Sequence, residues 1–325
     1  MLLTEFAIFI ISIIILSKAS HTVIKSSVKI ARITKLGELV VGFLFLSLAT
    51  VIPESTISTT AIMSGNFGIA IGNILGSNIT VLLLVAGIMG LFRPVNMTER
   101  TLNKLIQMLF LCSLILLVLV ALTYLSKVVG LALLILFLIF NLYSVKKKIT
   151  FGDIRLEEPL KLIPRLKIST VLLKSILFFV IGMSIILVSS HFAVNSASTI
   201  ASELNIDQSF IGATIMSVCA SLPELSVAMR AQKEGHLRLS LGNIMGSSLT
   251  RLTLVLGLVL LVSPISINIH LFTTLILFVF LSTLLLGFFL GSLGRRKLDR
   301  TEGVILIISY FVFLFLMSVF SYSTV

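Results

Sequence analysis

Gly42-Phe-Leu-Phe-Leu-Ser47-Leu-Ala-Thr50-Val-Ile-Pro53-Glu54 returns in the second half of the chain as Gly212-Ala-Thr-Ile-Met-Ser217-Val-Cys-Ala-Ser221-Leu-Pro223-Glu224. Downstream, Gly72-Asn73-Ile-Leu-Gly76-Ser77-Asn78-Ile-Thr80 returns as Gly242-Asn243-Ile-Met-Gly246-Ser247-Ser248-Leu-Thr250. The register holds without a gap from Gly42 and Gly212 to Pro94 and Pro264, with about a third of positions identical. An internal repeat of this kind decides the architecture before any single helix does. Each copy sets a proline, a carboxylate and small polar side chains inside otherwise apolar sequence. In a membrane protein that combination marks a substrate pathway.

The surrounding composition suits a membrane. Hydrophobic residues make up 57% of the chain and charged residues 12%, against about a quarter charged in a soluble domain. Apolar runs long enough to cross a bilayer recur along all 325 residues, which predicts an all-α polytopic membrane protein. The short alternating segments of a transmembrane barrel are not seen, and no hydrophilic block is long enough for a soluble domain. The net charge of +12 sits in short clusters between apolar runs. Clusters so placed suit loops on one side of a lipid bilayer and argue against a nucleic-acid partner; no cofactor and no obligate protein partner is expected. Cys112 and Cys219 lie in apolar segments and read as small buried hydrophobes. His21, His191, His236 and His270 read as interfacial residues near span ends.

Ten spans are predicted, at about 2–17, 36–63, 67–92, 105–126, 128–145, 175–192, 207–230, 239–263, 267–293 and 302–321. The first lacks the flanks of a signal peptide and reads as a retained span. Assigned to the loops, 23 Lys and Arg residues fall on one side of the membrane and only Lys127 on the other. By the positive-inside rule both termini of this multi-pass cell-membrane protein are extracellular. The domains are then a first five-helix repeat at 1–145, a basic cytoplasmic linker at 146–174 and a second repeat at 175–325. An odd number of spans per repeat inverts one half relative to the other, which is the plan of secondary transporters.

Pro53 and Pro223 cannot donate to the carbonyls four residues back, which frees those of Ala49 and Cys219. Carbonyls released at membrane depth must face protein, water or an ion. A glutamate follows each proline, and Ser47, Thr50, Ser217 and Ser221 lie close by. The next span of each copy adds Ser77, Asn78 and Thr80, or Ser247, Ser248 and Thr250. Glycines four apart (Gly72 and Gly76, Gly242 and Gly246) let another backbone approach. Two clusters of hard oxygen donors suit sodium, calcium or magnesium rather than soft metals.

The repeated motifs resemble the alpha repeats of the calcium/cation antiporter superfamily, the sodium/calcium exchangers, whose signatures are Gly-Thr-Ser-Leu-Pro-Glu and Gly-Asn-x-x-Gly-Ser-Asn. The resemblance implies ten helices with broken helices 2 and 7, ion sites between helices 2, 3, 7 and 8, and alternating access by sliding of helices 1 and 6. It implies Glu54 and Glu224 as the central metal-binding carboxylates. Thr50, Ser77, Ser221 and Ser247 are implied as oxygen ligands, and Ala49 and Cys219 as backbone ligands. The chain departs from the signatures at Ala49-Thr50-Val51 and Cys219-Ala220-Ser221, each copy keeping one of two hydroxyls. Where the family usually has Asn or Asp, this chain has Val81 and Arg251; with Asn78 and Ser248 these residues modify the site.

Arg251 is the one basic residue that fits no loop. Thirteen residues beyond Arg238, at about 1.5 Å each, it lies roughly 20 Å into the core. An arginine there is almost always paired, and Glu54 and Glu224 are the acids within the motifs. Arg251 is thus expected to act as a tethered cation in the site. The leading function is exchange of inorganic cations, calcium against sodium or protons. The alternatives are a proton-coupled or uniport carrier of another small substrate and a non-transporting membrane protein on the same fold. An enzyme is not expected: there is no His-Glu-x-x-His, and Gly152-Asp153 falls in the linker.

Overall fold

The computed structural model describes residues 2–33, 47–92, 95–96, 99–122, 124–146, 165–233, 237–263, 265–266, 269–291 and 297–323. Gly42, Pro94, Pro264, His236 and linker residues 147–164 lie outside this set, as do the loop cations Lys35, Arg93, Arg295 and Arg296. The described chain is helical. It runs through α1 (Leu2–Ile33), α2 (Ser47–Met63), α3 (Phe67–Phe92), α4 (Glu99–Ala121) and α5 (Lys127–Lys146). Then follow α6 (Arg165–Glu203), α7 (residues 208–220), α8 (Leu222–Lys233), α9 (residues 237–262), α10 (Ile269–Gly291) and α11 (Arg300–Ser323).

Among the described residues, seven helices are long and apolar enough to cross a membrane, and two shorter apolar helices lie in α4 and α5. A helix satisfies its own backbone, which lipid requires. The outward faces carry Ile11, Leu117, Leu138, Phe178, Leu284 and Phe311. The chain is a multi-pass helical membrane protein.

The helices bearing Gly-Asn-x-x-Gly-Ser, α3 and α9, are the most enclosed of the seven. Along α3 every residue from Ile69 to Ile79 is buried. Its glycines meet α7 backbone to backbone. A Cβ on Gly72 would fall 2.9 Å from the Ala213 nitrogen, and one on Gly76 2.7 Å from the Ala213 carbonyl carbon. No side chain fits there without parting the helices.

Peripheral contacts cross between the two halves of the chain in matched pairs. The C-terminal part of α3 packs on α11, with Gly87 against Gly303; that of α9 packs on α5, with Gly257 against Gly130. Four two-residue strands follow the same exchange: β1 (Val95–Asn96), β2 (Tyr124–Leu125), β3 (Ile265–Ser266) and β4 (Lys297–Leu298). β1 pairs antiparallel with β4, and β2 with β3. α4 packs on α10, and α1 lies along α6 as the most extensive helix pair.

Two sequence expectations need correction. Helix α2 is continuous from Ser47 to Met63 with Pro53 inside it, so the break predicted at Pro53 is not there. Proline removes a single donor, and the helix resumes beyond it, with Ser55 and Thr56 hydroxyls bonding the carbonyls of Val51 and Ile52 at 2.8 and 2.9 Å. The second copy does break, at Ser221 (φ −85°, ψ 0°) between α7 and α8. Pro223 then sits in the first turn of α8, where its missing N–H costs nothing.

The other correction concerns length. Spans were expected at 2–17 and 175–192, whereas α1 has 32 residues and α6 has 39. At about 1.5 Å per residue, α1 is roughly 48 Å long, well beyond a hydrocarbon core of about 30 Å. Lys18, Lys25, Lys29 and Lys174, expected in loops, are exposed residues of these helices; His21 lies at the end of the membrane-compatible stretch Leu2–Val23, as expected, whereas His191 lies well inside Thr170–Glu203.

Candidate functional site

The repeated carboxylates come together on one cation. Glu54 sits mid-way along α2, Glu224 in the first turn of α8 and Arg251 on α9, and all three side chains are fully buried. Arg251 Nη2 donates to Glu54 Oε1 at 3.0 Å and to Glu224 Oε1, while Nη1 donates to Ser247 Oγ at 3.2 Å. A carboxylate from each half of the chain therefore shares one nitrogen.

A charged arginine at bilayer depth costs at least about 2.5–3.5 kcal/mol. Opposite unit charges about 4 Å apart attract by roughly 4 kcal/mol at an effective dielectric near 20, so each carboxylate lowers the cost of burying the guanidinium. With both carboxylates ionised the triad carries a formal charge of −1.

The guanidinium leaves much of the oxygen unused. Glu54 Oε2, Glu224 Oε2, Ser77 Oγ and Ser221 Oγ are buried without a hydrogen-bond partner, as is Arg251 Nε. Ser77 lies on α3, and Ser221 lies at the α7–α8 break, just ahead of Glu224. Ser247 is engaged twice, donating to the Ile244 carbonyl at 3.1 Å and accepting from Arg251. Ser248 Oγ donates to Asn78 Oδ1, and Asn78 Nδ2 to the Ile74 carbonyl at 3.0 Å. Thr50 is buried on α2 and Cys219 half-buried on α7. Ala49 lies on α2 four residues before Pro53, its side chain outside the described set. Val81, the counterpart of Arg251, is fully buried. Among the described residues no group of three or more His, Cys, Asp or Glu converges on a metal-sized site.

Two features were not anticipated. The first is a π turn at the same point of both copies, Thr80–Val85 in α3 and Arg251–Val255 in α9, with a third at Gly212–Met216 in α7. Such turns recur at functional sites because they redirect one face of a helix. The second is Asn73, quoted in the motif but given no role. Its Nδ2 donates to the Glu54 carbonyl at 3.3 Å and to Ser58 Oγ at 3.0 Å, tying α3 to the segment that holds Glu54. Its counterpart Asn243 has Ala228 where Asn73 has Ser58, and both atoms of its amide are unpartnered. The hydroxyl has moved to the facing helix. Ser58 donates to the Ala70 carbonyl, whereas Ser240, the counterpart of Ala70, donates to the Ala228 carbonyl, each at 3.2 Å.

The family model described as sodium/calcium exchanger protein matches residues 4–146 and 174–319. The putative antiporter CaxA of Alkalimonas amylolytica is 28% identical over 95% of this chain and 97% of its own length. The sodium/calcium exchanger MaX1 of Methanosarcina acetivorans is 28% identical over 97% of this chain and 98% of its own. A solved structure of the sodium-calcium exchanger NCX_Mj, soaked with sodium and strontium, superposes with a TM-score of 0.63 at 25% identity, covering 96% of this chain and 98% of that one.

Proposed function

This chain belongs to the sodium/calcium exchanger family, and we propose that it is a secondary cation antiporter whose two halves share one ion site at Glu54 and Glu224. The observation that carries this reading is the meeting of those carboxylates, one from each copy of the repeat, on a single buried side chain. Relatives named as antiporters and exchangers over nearly their full length support it.

In this reading the chain crosses the cell membrane ten times, as inverted five-helix halves at 1–145 and 175–325 joined by the cytoplasmic linker 146–174, with both termini outside. The crossed contacts of α3 with α11 and α9 with α5 support the inversion. Thr50, Ser77, Ser221 and Ser247, with the carbonyls of Ala49 and Cys219, complete the oxygen set around the glutamates. Arg251 stands in that set as a tethered cation in place of one transported charge. α1 and α6 slide over the remaining helices to open the site to each side in turn. The protein is a carrier and does no covalent chemistry.

Reconstituted into proteoliposomes, the protein should exchange inorganic cations across the bilayer. Glu54→Gln and Glu224→Gln should each reduce exchange by about tenfold or more, since each removes a charged ligand from a dry site. A Glu54→Gln protein that transports normally would defeat the proposal.

A further inference from the structure

Resting on the cation-antiport reading, we propose that Arg251 makes this chain an electroneutral exchanger of monovalent cations, one for one, and excludes calcium from the cycle. The inference follows from counting charge in a site that water does not reach. Glu54, Glu224 and Arg251 are all fully buried and touch one another. With both carboxylates ionised they sum to −1, so one monovalent cation brings the enclosed site to zero. A calcium ion leaves it at +1, with the guanidinium close to the divalent ion.

Coordination points the same way. Calcium takes about six to eight oxygens, usually with several carboxylate atoms among them. Here one oxygen of each glutamate is bound to Arg251 and Ser247 is engaged by it. Of the carboxylate oxygens, one on each glutamate is left without a partner. The other ligands proposed, the hydroxyls and the carbonyls, are neutral, so the set as a whole holds one spare negative charge.

The same count makes the cycle an exchange. Emptied, the site keeps an uncompensated −1 in a low-dielectric interior, where lone charges are disfavoured. Loaded with one sodium ion, potassium ion or proton, it is neutral. The loaded carrier reorients and the empty one does not, so outward release must be followed by inward binding.

The test uses the full-length protein in proteoliposomes with radiolabelled sodium and calcium. Sodium efflux should require an external monovalent cation or a proton gradient. It should change by less than about twofold under 100 mV, where a cycle moving one net charge would shift its equilibrium by roughly fiftyfold. Calcium uptake should stay below about one hundredth of sodium exchange. Arg251→Gln restores −2, which one calcium ion or two sodium ions bring to zero, so calcium uptake should rise by about tenfold or more. Arg251→Lys keeps the charge and should keep calcium out, which separates charge from any folding defect in the glutamine variant. Calcium uptake by the parent protein at a rate near that of sodium, or a net current during sodium exchange, overturns this inference and leaves cation antiport standing. Movement of no cation at all by the parent overturns the antiport reading itself.

Discussion

Ser248 Oγ donates a hydrogen bond to Asn78 Oδ1, and these two residues occupy the same place in the two copies of the repeat. Counterparts can touch only where the two halves meet, so this bond marks the seam between them. Both side chains are buried, and removing either leaves the other unsatisfied at about 1–3 kcal/mol. Asn78→Ala and Ser248→Ala should each lower the melting temperature in detergent. The double variant should be less destabilised than the sum of the two, because the pair acts as one unit. Additive losses in the double-mutant cycle would mean that the bond contributes nothing.

Arg251 predicts a stability change that can be read without transport. Deleting one partner of a buried ion pair costs about 3–5 kcal/mol, because charge is left uncompensated. Arg251→Gln should therefore melt several degrees below the parent in ion-free buffer. Calcium should restore much of that loss in the variant and leave the parent unmoved, since binding to the folded state stabilises it in proportion to occupancy. A variant as stable as the parent without ions would show that the guanidinium holds nothing together.

Asn243 offers a gain rather than a loss. Ala228→Ser places a hydroxyl where Ser58 stands beside Asn73. It should satisfy one atom of the orphaned amide and add about 1 kcal/mol of stability. The reverse change, Ser58→Ala, should cost at least as much, as it strips Asn73 of its shorter bond. Thermal melts of the two variants should move in opposite directions.

Gly76 is predicted to tolerate no substitution. Even alanine would push its methyl group into the backbone of α7 at Ala213. Overpacking of this kind costs about 1–3 kcal/mol, and here the strain falls on the segment leading to Ser221 and Glu224. Gly76→Ala should lose exchange more severely than stability, as measured by flux beside a melt. Unchanged flux would mean that α3 and α7 can part without disturbing the site.

Much of the site was legible in the sequence because its chemistry is rare in its surroundings. Glu54 and Glu224 interrupt apolar runs at matched places, and Arg251 is a cation with no loop to occupy. Three such groups in a dry interior have few partners but one another. Backbone detail was not legible. Pro53 and Pro223 read alike, yet only the second copy breaks, because the break depends on where the next helix begins rather than on the proline. The excess length of α1 and α6 was hidden because hydropathy reports the apolar part of a helix and not where its hydrogen bonds end. The pairing of Asn78 with Ser248 depends on how the halves dock, which no local pattern encodes.

The π turns at Thr80–Val85 and Arg251–Val255 have a consequence for the screw of each rod. One residue added to a turn rotates everything beyond it by about 100°. Ser77 and Ser247 thereby point into the bundle while Gly87 and Gly257, further along the same rods, still meet α11 and α5. The angular phase between the interior and the rim is thus set by a single inserted step in each rod. Shortening α9 by one residue there would swing either the guanidinium or the glycine seam out of place, so this stretch should accept substitutions far more readily than a change of length.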